Sequence, residues 1–566
     1  MYQLTAVINH SPAGAPASVL SEMMGFAETP PVRVIAPVYE SNGNGGDGSD
    51  DDGGNGSDGG DSGVPVPEWP TGVPPSRYLS GELPVRAAAG EEISLIVRVV
   101  VEPAESAPFA TLKPLDLPPE GALIRVVVSA PGLVALDGLE QPLLVPANGD
   151  SEPVRFPFAA GDPGLRTARV TAWLGGTFLG ELALQVSIEA GVHAKQGFPR
   201  YAAIGIAGNP GEVTLQVRYD HVQRQYMFQL LSSEYFFDPY VQALSADPGA
   251  LVERTATSLK EMAANRSAFT GDNQTYEWLY QTGVGLWSTL VPDIIKEQFW
   301  QLHDSITAFS IATDRDIIPW ELLYPLARGH DNGFLVEQFP VMRRVYNQGR
   351  QPSLRLTKAT YIVPPESPTD AMSEVAKVRA MLGRHIIDGG VINGLAPLNA
   401  LLGHPDFDVL HFACHNTFSI AAGGSSVAMT GGPFQPLHLN AVKATHALEA
   451  TRPLVFFNAC RTAGEVVEYT ELMGWASRFM AAGSGAFLGT LWAVRSRSAM
   501  KFAEAFYSSF LNDGTTLGEA VRQARIGIKS RDDPTWLAYT AYGNPSATAL
   551  IANAARASHG SGDEPV

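Results

Sequence analysis

Two short apolar runs constrain this chain more than any other feature of its sequence. Residues 408–416 read DVLHFACHN, and residues 454–462 read LVFFNACRT. Continuous apolar runs of this length are typical of strands that are buried on both faces of a parallel sheet. Each run ends in a reactive polar residue, His415 in the first and Cys460 in the second, 45 positions later (460 − 415). Residues just past the carboxyl ends of such strands lie where open α/β sheets hold their active sites, so we expect a thiol nucleophile beside its base.

The composition predicts a cytosolic globular protein. The 566 residues are 45% hydrophobic and 17% charged, and this length allows roughly three domains. The net charge of −19 argues against binding to a nucleic-acid backbone. Two cysteines are too few for a disulfide framework and fit a reducing compartment. The N-terminus has no basic region followed by an apolar core, and no apolar stretch is long enough to span a bilayer, so we predict a cytoplasmic location.

Shifts in composition divide the first part of the chain into segments. Residues 1–40 form a short N-terminal module, and residues 41–77 form a Gly/Asp/Pro-rich linker that we predict to be disordered, because residues 41–63 contain no apolar side chain. A calcium-binding loop is an alternative for the Asp-rich part, but the ligand spacing and the terminal acid of such a loop are missing. Residues 78–192 show short strands broken by Gly and Pro, with a hairpin around Gly175-Gly176, and they predict an immunoglobulin-like β-sandwich.

The second part of the chain predicts an α/β domain. From residue 197 to 355 the pattern is mixed, and from 356 to 553 predicted strands and helices alternate, which favours a mostly parallel sheet flanked by helices. Thr516 and Glu519 have the spacing of a capping box at the start of the last strong helix. Residues 554–566 are predicted to be a disordered tail.

Five motifs in this second part resemble, in their joint order, the CHAT domain family. They are IPWELL at 318–323, HFACH at 411–415, NACRT at 458–462, GTLW at 489–492 and WLAYTAYGNP at 536–545. The resemblance covers about residues 300–548 and implies a caspase–hemoglobinase-like fold, related to caspases and separases. It implies that residues 197–355 are the N-terminal part of the CHAT region and that residues 356–553 are a caspase-like catalytic core. It implies a cysteine endopeptidase without a cofactor, in which Cys460 is the nucleophile and His415, rather than His411, is the base. It also implies a regulated bacterial effector of the defence or cell-death type.

The same residues fit the chemistry that such an enzyme needs. Peptide-bond cleavage by a thiol requires a thiolate, an imidazole to transfer protons, and donors for the developing oxyanion. We expect the backbone N–H groups of Cys460 and Asn416 to supply those donors. The family usually has glycine after the histidine, where this chain has Asn416. If the backbone needs a positive φ there, asparagine is the next most tolerated residue.

Simpler explanations apply to the other polar residues of the two runs. His411 lies inside the first predicted strand, and we expect a core histidine that is hydrogen-bonded by a neighbour. Cys414 should point away from His415, because alternate side chains of a strand face opposite sides, so we expect it in the core. A zinc site from His411, Cys414, His415 and Cys460 is conceivable, but the same alternation separates His411 from Cys414, and we predict no metal.

Three residues are candidates for substrate binding. By resemblance to caspases, Asn458 faces the pocket for the residue before the cut, and Arg495 and Arg497 border it. A guanidinium binds a carboxylate in bidentate fashion, so the pattern predicts an acidic or neutral residue there rather than Arg or Lys. Two solvated arginines are the open alternative.

The expected partners are proteins. We predict a protein substrate and a sensor or activator that binds through residues 1–192, with no direct nucleic-acid or membrane partner. Self-cleavage in the Asp-rich stretch at 47–61 is a further hypothesis. The competing function is a catalytically silent caspase-like scaffold for protein–protein interaction.

Overall fold

A computed structural model describes most of the chain from residue 77 onward. The described residues are 77–101, 117–190, 195, 199–204, 209, 211–220, 225–235, 237–243, 255, 258, 273–313, 318–345, 351–383, 386–419, 424–459, 468–512 and 514–551. The predicted module at 1–40, the linker at 41–77 apart from its last residue, and the tail at 554–566 lie outside them.

The N-terminal strands form two five-stranded sheets with a shared core. In chain order they are β1 (Arg77–Glu82), β2 (Arg86–Ala88), β3 (Glu92–Val100), β4 (Ala122–Ser129), β5 (Leu133–Ala135), β6 (Glu140–Val145), β7 (Val154–Ala160), β8 (Gly164–Leu174), β9 (Thr177–Glu189) and β10 (Arg200–Ile204). The described strands are ordered β10-β1-β3-β7-β5 in one sheet and β2-β9-β8-β4-β6 in the other. Leu95 and Phe156 of the first sheet and Val126 and Val170 of the second belong to one buried cluster. Because β10 pairs with β1, this unit extends beyond the predicted boundary at residue 192. The immunoglobulin-like topology stays a prediction.

The rest of the chain builds one large, mostly parallel sheet. Its strands and the smaller ones between them are β11 (Glu212–Asp220), β12 (Gln225–Leu231), β13 (Tyr240–Ala243), β14 (Ala308–Thr313), β15 (Leu326–Ala327), β16 (His330–Asp331), β17 (Val341–Arg344), β18 (Ser353–Leu356), β19 (Lys358–Ile362), β20 (Ile387–Ile392), β21 (Val409–Cys414), β22 (Thr417–Ser419), β23 (Gly424–Met429), β24 (Gly432–Phe434), β25 (Leu454–Ala459), β26 (Ala486–Thr490), β27 (Tyr539–Tyr542) and β28 (Thr548–Ile551). Among the described residues the large sheet has the order β13-β12-β11-β14-β17-β27-β26-β25-β21-β19-β20. The pairs β11–β12, β12–β13 and β26–β27 are antiparallel, and the other neighbouring pairs are parallel.

Helices cover both faces of the large sheet, as alternating strands and helices require. They are α1 (Gln274–Leu290), α2 (Asp293–Leu302), α3 (Leu335–Gln338), α4 (Ala371–Leu382), α5 (Leu395–Gly403), α6 (Leu439–Ala444), α7 (Glu468–Ala481), α8 (Ser496–Phe510), α9 (Leu517–Gly527) and α10 (Thr535–Ala538). Helices α4, α8 and α9 pack on one face of the strands around β21 and β25, and α5, α6 and α7 pack on the other. The hydroxyl of Thr516 accepts a hydrogen bond from the Glu519 N–H at 3.3 Å, which confirms the predicted start of α9. No helix within the described ranges is both long enough and apolar enough to cross a bilayer.

The two-sheet unit is attached to the large sheet through the predicted hairpin, which the structure confirms as β8 and β9. At its tip, a Cβ added to Gly176 would lie 2.0 Å from the carbonyl oxygen of Glu212, so only glycine fits against β11. The Thr214 hydroxyl donates a hydrogen bond to the Gly176 carbonyl at 2.6 Å. Trp173 and Phe178 pack with residues of β12 and β14 in a small buried cluster. The two parts of the chain are therefore in direct contact at this hairpin.

Candidate active site

The two apolar runs are adjacent parallel strands. β21 pairs with β25 over six positions, from Val409 opposite Leu454 to Cys414 opposite Ala459. The next residues along the chain are His415 and Cys460. Parallel strands end at the same edge of a sheet, so this register agrees with the sequence argument for the strands themselves. Cys460 lies outside the described residues, and the predicted contact between its thiol and His415 stays a prediction.

Aromatic packing explains why these two strands lie side by side. The rings of Phe412 in β21 and Phe457 in β25 lie 4.5 Å apart between centroids, and both residues are fully buried. Trp475 of α7 stacks on Phe457 at 5.2 Å and on Phe434 of β24 at 4.9 Å. Because aromatic rings bury the largest apolar areas, this stack fixes α7 and β24 against the strand pair.

The residue after His415 is held by its own side chain. The Asn416 carbonyl oxygen Oδ1 accepts hydrogen bonds from the Ser425 hydroxyl at 2.9 Å and from the Trp475 indole N–H at 3.3 Å. His415 and Asn416 are both half-buried. Asn416 is not among the non-glycine residues with a positive φ in the described part of the chain. Asparagine therefore stands here without the backbone strain that a glycine position could imply, and it adds contacts that glycine lacks.

His411 and Cys414 are core residues, as predicted. His411 is completely buried, with Nδ1 3.1 Å from the Tyr507 hydroxyl and Nε2 2.7 Å from Oε1 of Glu374. Burial raises the pKa of Tyr507 well above its usual value, so this hydroxyl keeps its proton. Cys414 is also completely buried and belongs to the cluster on the opposite face of the sheet.

Asn458 lies in the same buried layer as His411. Its Nδ2 donates a hydrogen bond to Oε1 of Glu374 at 2.9 Å, and its Oδ1 accepts one from the Tyr539 hydroxyl at 2.8 Å. The side chain is only 2% exposed. The predicted contact between Asn458 and a substrate is not supported by this arrangement and stays a prediction.

The two candidate arginines differ in their surroundings. Arg495 precedes α8, its Nη2 donates a hydrogen bond to the Asp532 carbonyl at 3.1 Å, and its Nε lies 3.8 Å from Oδ1 of Asp533. Arg497, in the first turn of α8, is exposed. Of the two side chains, that of Arg497 is therefore the more accessible to a ligand.

Glu374 was not among the residues predicted from the sequence, and it binds the strand pair through both His411 and Asn458. Glu374 lies one turn before Val378 on the buried face of α4. A carboxyl group on an apolar helix face is a signal for a buried polar partner, but the partner itself is 37 residues away for His411 and 84 for Asn458.

The donor groups of the described residues do not suggest a metal centre. Within the ranges that the structure covers, no three His, Cys, Asp or Glu side chains are grouped so that they could hold a metal ion. The predicted absence of a cofactor is a separate expectation, since Cys460 and its immediate neighbours are outside those ranges.

Comparisons with known proteins identify the second part of the chain. Residues 282–544 match the family profile of the CHAT domain. A probable protease of Vitiosangium sp. is 38% identical over 93 residues, which is 16% of this chain and 12% of that relative, so the chain spans only a small part of its length. Among solved structures, a Saccharomyces cerevisiae separase–securin complex has a TM-score of 0.36 at 10% identity, covering 60% of this chain and 30% of the other. A complex of the Porphyromonas gingivalis RgpB pro- and mature domains has a TM-score of 0.32 at 11% identity, covering 53% and 76%. The match at residues 282–544, which include the strand pair β21 and β25, confirms the resemblance to the CHAT domain family that the five motifs indicated.

Proposed function

We propose that this protein is a cysteine endopeptidase with Cys460 as the nucleophile and His415 as the base. The observation that carries the proposal is the register of β21 and β25, in which the residues that precede His415 and Cys460 are direct partners across the sheet. Three further points support it: the CHAT match, the similarity to a probable protease, and the presence of the two residue types that thiol peptidases require. The fold that goes with it is of the caspase–hemoglobinase type.

The proposed reaction proceeds through an acyl-enzyme. The Cys460 thiolate attacks the carbonyl carbon of the scissile peptide, and the backbone N–H groups of Cys460 and Asn416 donate hydrogen bonds to the oxyanion. The His415 imidazolium gives its proton to the leaving amine, and the carbon–nitrogen bond breaks. His415 then takes a proton from a water molecule that attacks the thioester, and the new carboxylic acid leaves as the thiol is restored. The hydrogen bonds to Asn416 Oδ1 restrict the residue that carries one of these donors.

Thiol alkylation tests the proposal without knowledge of the substrate. The chain has two cysteines, and Cys414 is completely buried, so it is an internal control for an unreactive thiol. Under native conditions we expect iodoacetamide to modify Cys460 alone, at a rate that stays high well below pH 8.5, because an adjacent imidazole lowers the pKa of a thiol. His415→Ala should remove this reactivity at neutral pH. A native protein in which neither thiol reacts, or in which His415→Ala has no effect, contradicts the proposal.

Cleavage itself distinguishes an enzyme from a silent scaffold. We expect cells that express the wild-type protein with neighbouring gene products to accumulate new protein N-termini that are missing with Cys460→Ala. The intact masses of purified wild-type protein and of Cys460→Ala test self-cleavage at residues 47–61. If wild type and Cys460→Ala give the same termini while Cys460 alkylates normally, the scaffold is the better explanation.

Substrate preference is a finer proposal. Arg497 is exposed, and its guanidinium is suited to a carboxylate at the residue before the cut. We expect a peptide library to yield acidic or neutral residues at that position and the charge reversal Arg497→Glu to shift the profile toward basic ones, whereas Arg495, which is bound to Asp532 and Asp533, contributes less. A wild-type profile dominated by Arg and Lys contradicts this preference.

The biological setting also belongs to the proposal. A regulated bacterial effector, of the kind used in defence or cell death, fits an endopeptidase that carries an additional β-sheet unit, and residues 1–192 are the proposed contact for a sensor or activator. Co-purification with full-length protein and with a chain that begins at residue 77 tests whether the first 76 residues recruit that partner.

A further inference from the structure

A cluster of five buried polar side chains lies between the sheet and helices α4 and α8. We call it the Glu374 cluster, and its members are Glu374, His411, Asn458, Tyr507 and Tyr539. Each is less than 6% exposed. They come from α4, β21, β25, α8 and β27, so the cluster joins five separate elements. Buried polar groups are costly unless they are hydrogen-bonded, which makes the partners of each atom informative.

The hydrogen bonds of the cluster have a consistent direction. A carboxylate only accepts, so both groups that contact Oε1 of Glu374 are donors: Nε2–H of His411 at 2.7 Å and Nδ2–H of Asn458 at 2.9 Å. On the far side of the asparagine, Oδ1 accepts from the Tyr539 hydroxyl at 2.8 Å. The contact with Glu374 fixes the orientation of the Asn458 amide, since the reverse orientation would place the amide oxygen against the carboxylate, whereas a tyrosine hydroxyl can either donate or accept.

A single oxygen atom thus binds both strands that lead to the candidate dyad. His411 lies opposite Phe456, and Asn458 lies opposite Ala413. The two donors are therefore offset by two residues along the strands, and they lie on the same face of the sheet. Asn458 is two residues before Cys460, and His411 is four residues before His415. Oε1 of Glu374 lies between the strands on the helix side and accepts from both, and it therefore restrains the position of one strand end relative to the other.

We propose that Glu374 is a positioning residue for the proposed peptidase: it does not touch the substrate, and it sets the alignment of the two strand ends that carry His415 and Cys460. This inference rests on the proposed function. Loss of the carboxyl group leaves two buried donors without an acceptor, and such groups seek other partners or water. The strand ends then lose their common anchor, and the distance between thiol and imidazole is no longer fixed.

The test uses the reactivity of Cys460 in a Cys414→Ala background, so that one thiol is observed. Iodoacetamide rates are measured from pH 5 to 9 on full-length protein, alongside the thermal midpoint. Glu374→Ala should slow alkylation at neutral pH about tenfold, which corresponds to a rise of about one unit in the apparent pKa of the thiol. Glu374→Gln keeps the acceptor Oε1 and should restore the rate to within about threefold of the starting protein.

Two further variants separate positioning from stability. Lys377 is in the same helix and forms a partly exposed ion pair with Glu504, so Lys377→Ala perturbs α4 without touching the cluster and should leave the rate unchanged. Tyr539→Phe removes only the hydroxyl that binds Asn458 Oδ1, and it should shift the rate in the same direction as Glu374→Ala but less. If Glu374→Ala does not fold, Tyr539→Phe and Glu374→Gln provide the answer.

The outcomes are distinguishable from failure of the peptidase itself. An inert Cys460 in the starting protein refutes the proposed function and this inference with it. A reactive Cys460 whose pH profile is unchanged in folded Glu374→Ala and Tyr539→Phe refutes only the positioning role. An equal loss in Glu374→Gln and Glu374→Ala also refutes it, because the charge rather than the shared acceptor would then control the thiol.

Discussion

The buried ion cluster around Glu321 leads to a quantitative prediction. Glu321, in the IPWELL motif, is completely buried, and its carboxylate forms a two-pronged pair with Arg343, one contact being Nε to Oε1 at 3.0 Å. Arg525 is buried beside them, and Nη2 donates to the Tyr539 carbonyl at 2.8 Å. Burial lowers the pKa of Arg525 to about 10 although Glu321 acts to raise it. One carboxylate therefore compensates two buried cations.

We expect Glu321→Gln to lower the free energy of unfolding by about 3–5 kcal/mol. This is the usual cost of removing one partner from a buried ion pair, and the upper end applies here because two guanidinium groups lose their counter-charge. Arg525→Met alone should be close to neutral, since Nε and Nη1 of Arg525 have no hydrogen-bond partner among the described residues. In the Glu321→Gln background, Arg525→Met should restore at least about 1 kcal/mol, because only one cation remains uncompensated.

Urea unfolding is the assay, followed by tryptophan fluorescence, since Trp320 and Trp536 lie in the core next to this cluster. The starting protein, the two single variants and the double variant form a double-mutant cycle, and all four are compared at one pH near neutrality. A decrease in the free energy of unfolding of less than about 1 kcal/mol for Glu321→Gln contradicts the charge argument, because an uncompensated buried cation destabilises a protein by more than this. Strict additivity of the two substitutions contradicts the claim that Glu321 balances Arg525 as well as Arg343.

Two more structural features give testable outcomes. In α1, Gly283→Ala should lower the free energy of unfolding by about 1–3 kcal/mol, because the new Cβ would lie 2.5 Å from the Leu322 carbonyl oxygen. Gly285→Ala should raise it by about 0.5–1 kcal/mol, because the new Cβ would have no atom of the described residues within 4 Å. Thermal unfolding of the two variants checks these opposite signs. Burial raises the pKa of Glu140 from 4.5 to about 7 against the pull of Arg125. The folded protein therefore holds the Glu140 proton to a higher pH than the unfolded chain does. The contribution of this proton to the free energy of unfolding is complete below about pH 4.5 and is lost as the pH rises through 7. Urea midpoints should decrease over this pH range, and Glu140→Gln should remove that decrease.

The sequence predicted the local features of the site well. Continuous apolar runs identified β21 and β25, and alternation within the first run assigned His411 and Cys414 to the core. The Gly175-Gly176 hairpin and the start of α9 at Thr516 were also predicted. These features depend on residues that are close in sequence, where periodicity and turn chemistry have a direct physical meaning.

The partners of buried polar residues could not be predicted. The resemblance to caspases predicts that Asn458 faces a substrate pocket, and it gives no indication that the amide binds Glu374 and Tyr539, which are 84 and 81 residues away. The strands β11 to β13 joined the large sheet although they precede the residues that match the family profile. Pairing between distant segments depends on how whole helices and strands pack against one another. A single sequence does not show this packing directly.

The parallel register of β21 and β25 also limits how this protein can change. A strand advances by about 3.3 Å for each residue, and successive side chains face opposite sides. Deleting one residue from either strand would shorten that strand by roughly 3.3 Å and would place its last side chain on the opposite face of the sheet. Length variation can be accommodated in the turns before each strand, whereas the six paired positions that lead to the rim must keep their number.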